Sequence, residues 1–153
     1  MRQNKLICFS FLINFLFGGI VMNTDAKTIS SEMKNNSTPA TQLLSAAYSA
    51  FNARDIDAAV ALMSPDVTWP KAFNGGVVNG PKEIRAYWTE QWREINPSVE
   101  PIAFYPQSDS KILVDVHQVV RNLEGDIISD EHVCHRFTIK NGLIQAMDLC
   151  SLP

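Results

Sequence analysis

Between Leu43 and Trp92 apolar residues recur at steps of three and four in separate blocks, each bounded by turn residues. That spacing commits the first half of the chain to amphipathic helices with one buried face each. Thr38 followed by Pro39 marks a start, an oxygen for the first free amides and a ring already at helical φ. Leu43, Leu44, Ala47, Tyr48 and Phe51 then share a face. Asp55 caps a second, short helix with Ile56, Ala59, Val60 and Met63 inward, and Ser64-Pro65 ends it. Asp66 to Trp69 reads as a short strand closed by Pro70. In the loop KAFNGGVVNG the glycines Gly75, Gly76 and Gly80 suggest a phosphate cradle, but the lysine and hydroxyl residue such a loop needs after its last glycine are absent. A mobile lip over a pocket is the better reading. A third helix opens at Pro81, places Ile84, Tyr87, Trp88, Gln91, Trp92 and Ile95 on one side, and stops at Asn96-Pro97.

The remainder reads as strands: Val99 to Pro106, Ile112 to Arg121, Ile127 to Lys140 and Leu143 to Leu152, with turns at Ser108-Asp109, Glu124-Gly125 and Asn141-Gly142. Helices followed by an antiparallel sheet define an α+β class. With 153 residues, 46% hydrophobic and 19% charged, there is material for one compact core.

The first 26 residues are read separately. MRQNK is a positive n-region, Leu6 to Met22 is apolar apart from Ser10 and Asn14, and Thr24 and Ala26 are small residues where a peptidase can cut. The expectation is a secretory signal peptide over residues 1–26 and a secreted or periplasmic protein. The other readings are an uncleaved anchor, or a cytoplasmic protein whose translation begins at Met22 or Met33. Residues 27–40 are polar and without period, a flexible lead-in to a domain over 41–153. Cleavage after Ala26 leaves 11 basic and 15 acidic residues, a formal charge of −4, which argues against a nucleic-acid partner. No membrane contact is expected once the leader is removed.

The segments AFNARDIDAAVALMSPDVTW, GPKEIRAYW, VDVHQVV and HRFTIKNGLIQAMDL, in that order and spacing, resemble the nuclear transport factor 2-like superfamily, and its SnoaL-like branch in particular. The resemblance runs from about Leu43 to Leu149. It implies a cone-shaped, curved, mixed sheet wrapped around three N-terminal helices, a cystatin-like α+β barrel. It also implies a mainly apolar cavity and a homodimer built on the sheet's outer face. The ketosteroid isomerases of that superfamily use a carboxylate base after the first strand, a tyrosine on the first helix and an acid in the sheet. Lys71, Ala47 and Val133 stand at those places here, so that chemistry does not carry over. Trp88 falls where those enzymes keep a pocket aromatic.

Strand alternation sorts the later residues into two faces. With a two-residue turn at Glu124-Gly125, Val116 faces Val133, Val114 faces His135 and Gln118 faces Glu131, and Phe137 and Ile139 continue the inner row. The inner face is then apolar except for Gln118, Glu131 and His135, the pattern of a ligand site for a small apolar molecule. His135 is the candidate acid or base, since an imidazole exchanges protons near neutrality. The alternative is a core histidine bonded to backbone or to Tyr48. Its partner depends on the turn at Asn141-Gly142. A two-residue hairpin sets Asp148 across from His135, an orienting carboxylate, whereas a bulged three-residue loop sets Met147 there and turns Asp148 outward. The resemblance favours the bulged form. In neither register do Cys134 and Cys150 face each other, so no disulfide is expected.

Candidate catalytic residues are therefore His135, Glu131 and Asp148, with Tyr48, Trp69, Trp88, Gln118, Phe137 and Met147 as ligand contacts. The reaction expected is proton transfer or cyclisation without a cofactor, and the alternative is a non-catalytic binding or interaction module. On the outer face Asp115, His117, His132 and Cys134 are residue types zinc accepts, but their strand spacing reads as a solvated or dimer-interface patch, and no metal site is assigned.

Overall fold

The computed structural model describes residues 37–151, which form three helices and a six-stranded mixed sheet. The expected leader and most of the lead-in lie outside the described residues, as does Leu152. Helix α1 spans Pro39–Asn52, α2 Ile56–Ala61 and α3 Gly80–Glu94. The strands are β1 Met63–Pro70, β2 Val77–Asn79, β3 Asn96–Pro106, β4 Lys111–Arg121, β5 Ile127–Lys140 and β6 Leu143–Cys150. They lie in the order β2-β1-β6-β5-β4-β3, and β1 runs parallel to β6. The sheet curves over the helices as the resemblance implied, but it stays open, with β2 and β3 as its edges.

Local chemistry sets the helix starts. The Thr38 hydroxyl accepts from the Thr41 amide at 3.2 Å, and Asp55 accepts from the Ala58 amide at 3.0 Å. At α3 the cap works in reverse: Glu83 reaches back to accept the Asn79 amide at 2.7 Å. Gly80 precedes Pro81 with φ of 75°, and a Cβ there would lie 3.1 Å from the Pro65 carbonyl oxygen. Glycine is the residue that fits.

Several expected boundaries move. The first helix starts at Pro39, where the Thr38-Pro39 signal puts it, so Pro39 and Ala40, counted with the lead-in, are helical. The second ends at Ala61, because Met63 and Ser64 join the strand before Pro65. Pro65 brings no amide to the ladder and falls inside the irregular stretch of the β1–β6 register. The glycine loop is narrower than expected: Val77–Asn79 pairs with Thr68–Pro70, leaving a tip over residues 71–76. That tip is closed by the Lys71 amide on the Gly76 carbonyl at 2.9 Å.

β4 and β5 pair in the expected register, Val114 with His135 and Gln118 with Glu131. The turn that produces it differs. The Asn122 amide bonds the Asp126 carbonyl at 2.9 Å, and Arg121 pairs with Ile127. Val120 then pairs with Ser129, so Ile128 is an extra residue, a bulge that restores the register the shorter turn would have given.

Between β5 and β6 neither expected register holds. Asn141 and Gly142 have φ of 53° and 73°, as a two-residue type I′ hairpin requires, and Lys140 pairs with Leu143. A bulge at Gln145 then slips the pairing by one, so that Phe137 meets Met147, Arg136 meets Asp148, His135 meets Leu149 and Cys134 meets Cys150. Two expectations fall with that slip. Asp148 does not face His135, and Cys134 and Cys150 form a disulfide with Cα atoms 5.0 Å apart.

The helices are fixed to the sheet by side chains as well as by the core. The Asn52 amide group mimics a strand edge, donating to the Val99 carbonyl at 2.7 Å and accepting from the Val99 amide at 3.0 Å. Arg54, with φ of 61°, donates to Pro97 O at 2.7 Å and lies over the Trp92 ring, 4.7 Å from its centroid.

Replacing Asn52 with alanine orphans both backbone groups of Val99, and a loss of about 2 kcal/mol is expected in urea unfolding. Replacing Cys134 and Cys150 together with serine removes a cross-link spanning 16 residues. The expected cost is about 3 kcal/mol, matched by the effect of a reductant on the wild-type protein.

Candidate functional site

A hollow of about 70 Å³ open to water lies between the helices and the inner face of the sheet. Roughly 10–15 Å³ on that scale holds one water molecule, so this is true empty space. α1 supplies Tyr48 and Phe51, β1 supplies Trp69, α3 supplies Tyr87, Trp88 and Gln91, and the sheet supplies Gln118, His135, Phe137, Met147 and Leu149. Trp88 packs edge-on against Trp69 and Phe51, with ring centroids 5.4 and 5.1 Å away. Phe137 meets Trp69 and Tyr48 in the same manner. These aromatic contacts make a rigid apolar wall.

His135 is buried in this wall, and its Nδ1 lies 3.0 Å from the Tyr48 hydroxyl. Both expected aspects of the residue therefore coexist: it is a core histidine bonded to Tyr48, and it also lines the cavity. Burial lowers its pKa from 6.5 to about 4, so the ring is neutral at physiological pH. Burial pushes the Tyr48 phenol up, so it too keeps its proton. Either the phenol donates to Nδ1 and the ring proton sits on Nε2, or Nδ1–H donates to the phenol oxygen and the phenol keeps its own proton free. In either form the pair keeps one donor, Nε2–H or the phenol O–H, for a molecule in the cavity.

The carboxylates are placed elsewhere. Glu131 pairs with Gln118 but is exposed and does not line the hollow. Asp148 is half exposed and lies 3.8 Å from the Arg136 guanidinium on the opposite face from His135. Among the described residues no Asp or Glu lines the hollow. Tyr48, Trp69, Trp88, Gln118, Phe137 and Met147 all do. Tyr87 and Gln91 join them, although the sequence reading does not count them among the ligand contacts. The Tyr87 oxygen accepts from the Ala72 amide at 3.1 Å and from Gln91 Nε2 at 3.0 Å, and burial raises its pKa despite those bonds. Their helical spacing beside Trp88 is the signal that places them on this face.

The outer face holds two separate His–Asp hydrogen bonds. His132 bonds Asp115 at 2.9 Å and His117 bonds Asp130 at 2.7 Å, with the two imidazoles stacked 5.5 Å apart. Cys134 is committed to the disulfide and offers no thiolate.

Residues 44–147 match the SnoaL-like domain. The chain belongs to that family. Solved structures agree on the fold of this SnoaL-like domain. TerC co-crystallized with polyporic acid is 24% identical, with a TM-score of 0.66, covering 74% of this chain and 91% of its own. An NTF2-like protein of unknown function from Burkholderia pseudomallei is 22% identical, with a TM-score of 0.66 and the same coverage, 74% and 91%. A Mycobacterium tuberculosis protein in complex with estradiol-17beta-hemisuccinate is 18% identical, with a TM-score of 0.65, covering 76% and 95%. No curated protein matches the sequence significantly.

The buried imidazole makes stability depend on pH with a definite sign. Its folded pKa lies below the unfolded value, so its neutral burial is fully tolerated above about 6.5 and costs stability as pH falls towards about 4. The loss approaches 3 kcal/mol, roughly the size of the shift. Melting temperature is expected to fall through that window in the wild-type protein and to fall less in His135→Phe.

Proposed function

We propose that this SnoaL-like domain binds a small, mainly apolar molecule carrying one carbonyl or hydroxyl oxygen, and that the Tyr48–His135 pair fixes that oxygen. The observation that carries the reading is a neutral imidazole bonded to a buried phenol inside an aromatic-walled hollow. In a site of low polarity a single aimed donor selects ligands strongly, because an unmatched buried donor is costly. The small organic molecules named with two structures of the same fold support this class of ligand.

As an enzyme, the domain would run isomerase- or cyclase-type chemistry without a cofactor. His135 would act as an acid through Nε2–H, polarising a carbonyl as negative charge develops on its oxygen. A histidine this strongly desolvated is a poor base at neutral pH, and the base would have to come from the ligand or from water. Non-catalytic binding is the second reading, favoured by the lack of any carboxylate lining the hollow among the described residues. The disulfide supports export to an oxidising compartment, in line with the expected leader. The outer sheet face, with its two His–Asp pairs, is the surface proposed for a homodimer.

The test uses 4-methoxyacetophenone, an aromatic ketone, titrated against the protein by calorimetry. His135→Phe is expected to weaken binding about tenfold and Tyr48→Phe about threefold, the loss of a buried hydrogen bond and of its orienting partner respectively. Equal affinity in all three proteins would overturn the reading. Exchange of the ketone's methyl protons in deuterated water, followed by proton NMR, separates the two versions. Acceleration that disappears in His135→Phe identifies an enzyme, and binding without acceleration identifies a carrier.

A further inference from the structure

The hollow around His135 is the smaller of two adjoining spaces. A groove of about 280 Å³ runs between α3 and the β4–β5 tip, and Phe73, Tyr87 and Gln91 form walls of both. Phe73, on the 71–76 tip, therefore stands at the junction. It is 51% exposed, and Ile128, the bulged residue on the groove's other side, is 58% exposed. Two large exposed apolar side chains outside the core thus line the groove beside the hollow.

We propose that the domain takes an elongated ligand, its oxygen-bearing head against His135 and its tail passing Phe73 into this groove. The proposal rests on the reading of the His135 hollow as the ligand site and adds the length and tail chemistry of the ligand. The groove's end gives the tail its character. Its acidic lining residues are Glu90 and Glu94, one turn apart on α3, and no Lys, Arg or His lines it among the described residues. An uncharged hydroxylated or a cationic tail fits that end, and an anionic tail is repelled. Ile128 reaches the groove because of the β5 bulge, which sets it outside the regular pairing with β4.

Three probes test the proposal against 4-methoxyacetophenone as the compact reference: the 4-alkoxyacetophenones with a six-carbon chain ending in an ammonium, a hydroxyl or a carboxylate. The chain is expected to strengthen binding about tenfold or more for the ammonium and hydroxyl forms, through burial of a few methylenes along Phe73 and Ile128. The carboxylate form is expected to gain little. Ser129→Trp, which fills the groove, is expected to weaken the ammonium probe at least about fivefold more than the compact one. Glu94→Lys is an exposed change and is expected to reverse the preference between ammonium and carboxylate. If the compact ketone binds and responds to His135→Phe but no chain improves it, the extension is overturned and the head site stands. The extension is likewise overturned if the chain improves binding equally in wild type and Ser129→Trp. If the compact ketone and the chained probes all bind without regard to His135, both readings fall together.

Discussion

Pairing of β5 on both of its sides is the constraint from which the rest of the structure follows. Fourteen residues long, it is bonded to β4 along one edge and to β6 along the other, so its alternation is not free to drift. His135 and Phe137 must face the helices, and Cys134 and Arg136 must face away. The helical layer closes over that inner row through Tyr48, whose phenol meets the imidazole, and through the Asn52 clamp on Val99. Burial and charge state of the imidazole are both consequences of where this strand is held.

Much of that arrangement was legible in the chain itself. Helical spacing placed Tyr48, Trp88 and Phe51 on inward faces, and alternation put Gln118, His135 and Phe137 on one row of the sheet. What the sequence could not show is the pair of bulges. At Ile128 the bulge offsets a longer turn, so the expected β4–β5 register stands although the turn assumed for it does not. At Gln145 nothing offsets it. The Asn141-Gly142 signal was sound, yet one extra residue beyond it exchanged the roles of Asp148 and Leu149 and brought the two cysteines together. A bulge is a small local change of backbone angles, open to most residue types, and it leaves little mark on composition or period. Its effect on every later side chain is large.

The same slip decides the chemistry on offer. A carboxylate across from the imidazole would have made a base held ready for proton abstraction. A half-exposed leucine stands there instead, and burial of the ring among its other neighbours is what keeps it neutral. Nearby, the Tyr87 oxygen already accepts two hydrogen bonds, and Glu131 looks into solvent. The site has hydrogen-bond donors, aromatic surface and no ionised partner, a combination that favours holding a neutral oxygen over forming a charged intermediate.

The place of β6 has a consequence for how the polypeptide assembles. It is the last of the six strands to leave the ribosome, yet it lies mid-sheet, between β1 on one side and β5 on the other. Until it emerges, the β1–β2 hairpin and the β3–β5 meander cannot join, and each presents a bare edge to its surroundings. Closure of this sheet therefore waits for the sixth strand in chain order, which supplies the partner that both bare edges lack.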